Sequence, residues 1–345
     1  MLIVAGLTLR CIEPRVWDKA SPYHLPDLRA VMVSYAEIHQ FQKIRERMMR
    51  EGIHNALGIP SDVKVFLDNG AFGLSRKGLE IPIEEYEEFV AEAKPDWKPI
   101  PQDFIPAPSM RLSEQRNCLR RTMKINTDFQ HDGFVPVIHI SRVIGKYISQ
   151  LKANEKLAAK SRLAVGGIVP NLLRAPKAIP HKKVLQNLVK LRREFSDKEI
   201  HVFGIGGIST LHVAALLGID SVDSSGWRNR AARGIILLPG KSERIIAQLG
   251  SWRGRIVSGG EKKILLNCQC PACRQFGLDG LTASASEGFR NRATHNLWTL
   301  LEEANWIYEK SRSGEYQNEY KARLEGSTYR QLVDYLVART KTAKI

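Results

Sequence analysis

Cys268, Cys270 and Cys273 form a Cys-x-Cys-x-x-Cys run, and His295 follows 22 residues after the last of them in a Thr-His-Asn-Leu stretch with helical spacing. Thiolates and a neutral imidazole are the donors that Zn²⁺ prefers. Four protein ligands leave no position open for water, so a structural rather than a catalytic metal is expected. Three thiols within six residues seldom all pack as apolar side chains, which weighs against buried or redox cysteines. If zinc braces one part of the chain, the reactive groups lie elsewhere.

A second set of residues has the types that reactions need. Asp68, Asp103, His139, Gly166-Gly167, Gly206-Gly207 and Asp223 each follow directly on a short apolar run. One aspartate in such a place is commonly a turn or helix cap. Several in the same register suggest three carboxylates, a histidine and two diglycines sharing one rim.

The elements that must position these groups follow from the pattern. Val63–Leu67, Lys98–Gln102, Phe134–Ile138, Leu163–Val165, His201–Ile205, Ser221–Val222 and Gly234–Leu238 read as strands, with a first strand from Met1–Val4 or Ala30–Ser34. Ile83–Ala93, Met110–Asn126, Val143–Leu157, Lys182–Phe195 and Ser209–Leu217 carry helical spacing between them. Seven or eight βα units predict an α/β fold, a (β/α)₈ TIM barrel, with a doubly wound sheet as the alternative. The expected organisation is a barrel domain over 1–260, a zinc-binding subdomain over 261–298, and C-terminal helices over 299–345 that complete or flank the barrel.

The 345 residues carry 52 Lys and Arg against 36 Asp and Glu, a net charge of +16. Such a balance favours a polyanionic partner, nucleic acid above all, and fits poorly with an enzyme of free nucleosides. Basic residues gather from Arg228 to Lys263, including Arg230, Arg233, Arg253 and Arg255, and again in the tail from Lys321 to Lys344. No apolar run reaches the length of a membrane span, the N-terminal stretch lacks the make-up of a signal peptide, and the cysteines do not form a disulfide framework. A cytoplasmic location without a membrane partner is the expectation.

In order along the chain, the segments resemble the tRNA-guanine transglycosylase superfamily, enzymes that exchange guanine in a polynucleotide for a 7-deazaguanine. Asp68-Asn-Gly-Ala-Phe72 is similar to the family's Asp-Ser-Gly-Gly-Phe/Tyr, and Gln102-Asp-Phe-Ile-Pro-Ala-Pro108 to its second aspartate and Pro-rich turn. Ala164-Val-Gly-Gly167 resembles the Ile-Gly-Gly loop, Phe203-Gly-Ile-Gly206 and Ser221-Val-Asp223 the strand ends around the nucleophile, and the cysteine cluster with His295 the zinc motif. The resemblance implies Asp223 as nucleophile and Asp68 as general acid and base, in a double displacement through a covalent sugar ester. It also implies Asp103 as reader of the guanine edge, Gly166 and Gly167 as backbone close to the base, Phe72 as a stacking ring, and Arg228, Arg230 and Arg233 as phosphate contacts. His139 stands where the family has Gln-Gly-Gly, Ala71 replaces the second glycine, and Ile168-Val-Pro-Asn171 stands where the tRNA enzymes carry Val-Gly-Glu. Those departures resemble the DNA-modifying branch, which implies DNA as polymer, 7-cyano-7-deazaguanine as incoming base, and structural Zn²⁺. A tRNA enzyme and a non-catalytic nucleic-acid-binding subunit are the alternatives, and a homodimer or accessory modification proteins are further partners compatible with the family.

Overall fold

The computed structural model describes residues 1–75, 79–131 and 133–342; Lys344 of the basic tail lies outside them. Seven strands run parallel: β1 (Leu2–Gly6), β2 (Ala30–Ser34), β3 (Lys64–Asp68), β4 (Val137–His139), β5 (Arg162–Gly166), β6 (Glu199–Val202) and β7 (Ser221–Ser224). Their order is β3-β2-β1-β7-β6-β5-β4. Leu2–Ala5, Ala30–Val33, Val65–Leu67 and Leu163–Val165 are apolar without alternation because both faces of these strands are covered, one by the ring interior and one by helices.

Residues 96–100 close the ring between the edge strands. Leu67 N–H donates to Trp97 O at 2.8 Å, Val135 N–H to Lys98 O at 2.9 Å, and Ile100 N–H to Val135 O at 3.1 Å. Parallel bridges pair Phe66 with Trp97 and Pro99 with Val135. Pro99 and Pro101 have no N–H to offer, so this eighth staff of the barrel never extends into a ladder. The (β/α)₈ expectation therefore holds.

Two strand expectations change. The N-terminal region supplies two staves, because β1 and β2 pair side by side with Ala5 opposite Val31. The run ending at Leu238 forms no stave: Ile235–Leu238 (β8) pairs antiparallel with Ser242–Ile245 (β9) in a separate hairpin. Gly240 (φ +65°) and Ser242 (φ +69°) turn the chain straight back, leaving no crossover to a parallel neighbour.

The helices fall where the spacing placed them. Ile83–Ala93 matches to the residue, and His181–Glu194 buries Val184, Leu185, Leu188 and Leu191 along one stripe. One 27-residue helix, Ser286–Arg312, carries His295 and runs on without a break through position 298, packing on β1 and on the helices Ile208–Leu216 and Gly226–Ala232. No helix among the described residues is long and apolar enough to cross a membrane.

A buried polar network ties this long helix to its surroundings. Glu303 lies 2.8 Å from His212 Nε2 and 2.8 Å from Arg323 Nη2, and accepts the Gly240 N–H at 3.0 Å; His212 Nδ1 meets Tyr316 Oη at 2.7 Å. Burial pushes the Glu303 carboxyl up, but the hydrogen bonds from His212 and Arg323 outweigh it and hold it below the usual range. Removing one member leaves the others as uncompensated buried charge. Glu303→Ala should therefore lower stability by about 3–5 kcal/mol in urea unfolding, and Glu303→Gln by less.

Candidate functional site

At the carboxyl ends of the strands a cavity of about 370 Å³ is lined by Asp68, Asn69, Phe72, Asp103, His139, Gly166, Gly167, Phe203 and Asp223, among others. All seven residues expected to act on substrate line it. They come from positions up to 155 apart in the chain, and the barrel places them on one rim because every stave ends there.

Asp68 ends β3. Burial, the Asp223 carboxylate and the Asp103 carboxylate push its pKa up to about 7, against the stabilising Gly70 N–H and Ser34 hydroxyl. Asp68 is thus a carboxyl balanced between acid and base near neutral pH. Asp223, on β7, is oriented differently: its Oδ1 accepts the Gly204 N–H at 2.6 Å.

Asp103 is buried between the side chains of Asn69 and His139. Asn69 Nδ2 donates to Oδ1 at 2.8 Å, and His139 Nε2 lies 2.9 Å from Oδ2. Asn69 is itself held by the Ile100 carbonyl at 3.0 Å and by the Ala71 N–H at 2.9 Å. His139 thus enters the site as the partner of Asp103. Neither of its ring nitrogens makes a hydrogen bond among the described residues. Nδ1 lies against Gly166, where an added Cβ would come within 2.8 Å of it. Gly167 (φ +73°) turns the chain away beneath the Ile140 carbonyl. The diglycine therefore makes room for the imidazole as well as for a ligand.

Phe72 is 48% exposed on the short helix Ala71–Ser75 at the cavity mouth, so it is not a core ring. A second cavity of about 390 Å³ shares Val169, Gly204, Asp223 and Ser225 with the first and continues along Thr210, Arg230, Glu243 and Tyr329. Asp223 stands where the two meet.

The three arginines separate. Arg228 is buried, its guanidinium donating to the carbonyls of Cys11 and Glu13, so the expectation of a phosphate contact is corrected there. The reason is that the segment 7–29, which joins β1 to β2 without a helix, needs these donors for its own carbonyls. Arg230 lines the second cavity, paired with Glu243 at 2.5 Å. Arg233 is exposed and lies 4.2 Å over the ring of Trp252, next to exposed Arg253 and Arg255.

Cys268, Cys270 and Cys273 place their sulfurs 3.5, 3.6 and 3.4 Å from His295 Nδ1. Zn–S near 2.3 Å and Zn–N near 2.0–2.1 Å give tetrahedral S···N edges of about 3.6 Å, so the four residues fit a structural zinc site. His295 Nε2 lies 2.9 Å from the Leu237 carbonyl, which fixes the tautomer that points Nδ1 at the thiols. Next in the helix, Asn296 accepts the Leu237 N–H at 2.7 Å and donates to the carbonyls of Trp227 and Ile235 at 3.0 Å each.

Asn69, the partner of Asp103, is the site residue that the sequence reading did not single out. It follows Asp68 directly, a signal that could have found it.

Two outcomes follow. Cys273→Ser, or strong chelation, should release about one equivalent of zinc and lower the melting temperature, with greater loss at low pH where thiols protonate. Asp68 has a folded pKa above its unfolded value of about 3.9, so the fold binds its proton more tightly; stability from this group is lost as pH rises from about 4 to about 7 and is level above. Asp68→Asn should remove that slope in unfolding measured across the window.

A family model described as queuine tRNA-ribosyltransferase matches residues 21–328. The chain is 24% identical over 288 residues to a tRNA-guanine(15) transglycosylase of Pyrococcus furiosus, covering 81% of this chain and 45% of that protein. It is 28% identical over 269 residues to the protein of that name from Methanopyrus kandleri, covering 76% and 54%. For Thermococcus kodakarensis the identity is 26% over 289 residues, covering 81% and 45%. The chain spans about half the length of these curated relatives.

Proposed function

The chain belongs to the queuine tRNA-ribosyltransferase family, and from that premise we propose that it exchanges guanine in a polynucleotide for a 7-deazaguanine base. The observation that carries this reading is the pairing of two unlike carboxylates in one cavity. Asp68 is pushed up to about 7, while Asp223 is held by a backbone N–H. Two neighbouring carboxyls with divergent environments are the arrangement that divides acid from nucleophile.

In the proposed reaction Asp223 attacks C1′ of the target nucleoside as the C1′–N9 bond breaks, and Asp68 delivers a proton to the departing guanine. The oxocarbenium-like transition state is flanked by carboxylate charge. The incoming base then attacks C1′ from the vacated side, gives its N9 proton to Asp68 and returns the electron pair to Asp223. Asp103, held as an acceptor by Asn69 and faced by His139, has lone pairs left for the N1–H and amino group of guanine, and adenine cannot supply those donors. Gly166 and Gly167 form the floor and Phe72 the mouth, where it stacks on the base. Zinc on Cys268, Cys270, Cys273 and His295 supplies cross-linking and no chemistry.

We take the polymer to be DNA and the base to be 7-cyano-7-deazaguanine. The support is local: His139 lines the cavity where the tRNA pattern has an amide, buried Ala71 and Asn171 depart from that pattern behind its wall, Asn171 donating to the Gly167 carbonyl, and the three aspartates remain. Arg230 and Arg233 with Arg253 and Arg255 would hold the phosphates, and the second cavity would take the nucleotide next to a target flipped out of its stack. The names of the relatives favour tRNA as a second reading. Both readings place the protein in the cytoplasm.

Incubation with labelled 7-cyano-7-deazaguanine and either guanine-containing DNA or tRNA should label DNA; label in tRNA alone would establish the second reading. Asp223→Ala should abolish the covalent protein–polynucleotide adduct. Its rate of formation in the parent should fall about tenfold per pH unit above about 7, as Asp68 loses its proton. Trapping by Asp223→Ala at the parent's level would remove Asp223 as nucleophile.

A further inference from the structure

Inside the barrel, beneath the cavity, His201 on β6 is 2% exposed and enclosed by aromatic rings. The centroids of Phe203, Trp97 and Phe66 lie 4.8, 5.1 and 5.7 Å away. His201 on β6 and Phe203 just beyond its end point the same way by alternation, and Ser221 lies opposite His201 in the ladder with β7. The ring packing fixes the imidazole plane, so where its two nitrogens point is set by the fold.

His201 Nδ1 is 2.9 Å from the Ser221 hydroxyl. Nε2 is 3.5 Å from Asp223 Oδ1 and makes no hydrogen bond among the described residues. A buried ring nitrogen without a partner is costly, and here it faces the carboxylate two residues beyond Ser221. When the Ser221 hydroxyl donates to Nδ1, the neutral ring carries its hydrogen on Nε2. A separation of 3.5 Å closes to a hydrogen bond with a small movement of Asp223, as resting sites commonly do on binding substrate. The Gly204 N–H already holds the same oxygen, Oδ1.

We propose that His201 is a positioning residue for Asp223, donating from Nε2 to Oδ1 beside the Gly204 N–H so that Oδ2 is the oxygen that bonds to C1′. The inference rests on the guanine-exchange reading. In the first displacement the Oδ2–C1′ bond forms as C1′–N9 breaks, the electron pair goes to N9, and Asp68 provides the proton. Oδ1 then becomes the carbonyl oxygen of the ester, held by two donors. In the second displacement the incoming N9 bonds to C1′, the C1′–Oδ2 bond breaks, and its pair returns to the carboxylate. Two donors on Oδ1 stabilise that leaving group, so His201 acts most strongly on breakdown of the ester.

The test has two parts on the full chain. With ¹⁵N-histidine labelling, His201 should show an exchange-protected Nε2–H signal that disappears in His201→Phe and shifts in Asp223→Ala. Lack of that signal in the parent, or indifference to Asp223→Ala, overturns the contact whatever the activity. In quenched time courses, His201→Phe should break down the ester about tenfold more slowly with KM for the incoming base unchanged, and His201→Gln, which keeps a donor, should recover most of the rate. Equal breakdown in His201→Phe and the parent overturns the proposal. So does equal impairment in the Phe and Gln variants with matching loss of melting temperature, which marks a packing role. A parent that forms no ester with DNA or tRNA overturns the exchange reading and the leaving-group role with it, while the ring contact stands or falls on the spectrum alone.

Discussion

Three carboxylates confined to one rim repel one another, and the arrangement around them is a set of answers to that repulsion. Asp103 accepts the Asn69 amide and faces His139 Nε2 at 2.9 Å, and Asp223 accepts the Gly204 N–H. Asp68 has the Gly70 N–H and the Ser34 hydroxyl, which do not outweigh its burial and its two acidic neighbours. The proton that relieves the crowding therefore resides on Asp68 near neutral pH. Like charges in a shared, poorly solvated site cannot all ionise at their ordinary values, and the group with the weakest compensation takes the shift.

Those donors sit on backbone that is itself held from a distance. Asn69 depends on the carbonyl of Ile100 in the staff that closes the barrel, and His139 depends on the absence of a side chain at Gly166. The cysteine cluster acts on the neighbouring cavity in the same indirect way. His295 and Asn296 together hold both edges of the residue Leu237, and through it the hairpin that presents Glu243 to Arg230. Glu303, two turns further along the same helix, grips the turn of that hairpin at Gly240. One long helix thus carries a ligand of the zinc site, two clasps of the hairpin and a buried ion network, which explains why it continues across the expected subdomain boundary.

The basic surface and the cavity are complementary halves of one task. In the proposed exchange, a surplus of 16 basic over acidic residues would draw in a polyanion without distinguishing sequence, and the buried acceptor Asp103 would distinguish a base by its donors. The division is visible among the arginines: exposed Arg233, beside Trp252, suits a phosphate chain, and buried Arg228 serves the loop that follows β1.

Much of this was legible in the sequence. The apolar runs without alternation announced strands covered on both faces, and the aspartates at their ends announced the rim. The cysteine spacing announced a metal site. These features depend on neighbours within a few residues, so composition and period reveal them. The closure of the ring by a proline-rich segment, the burial of Arg228, and the approach of His139 to Asp103 and of His201 to Asp223 depend on residues tens to hundreds of positions apart. Sequence determined which side chains have the chemistry and that they end strands. Only the tertiary structure decided which carboxylate meets which donor, because the distances and burial that set their charge arise when the barrel closes.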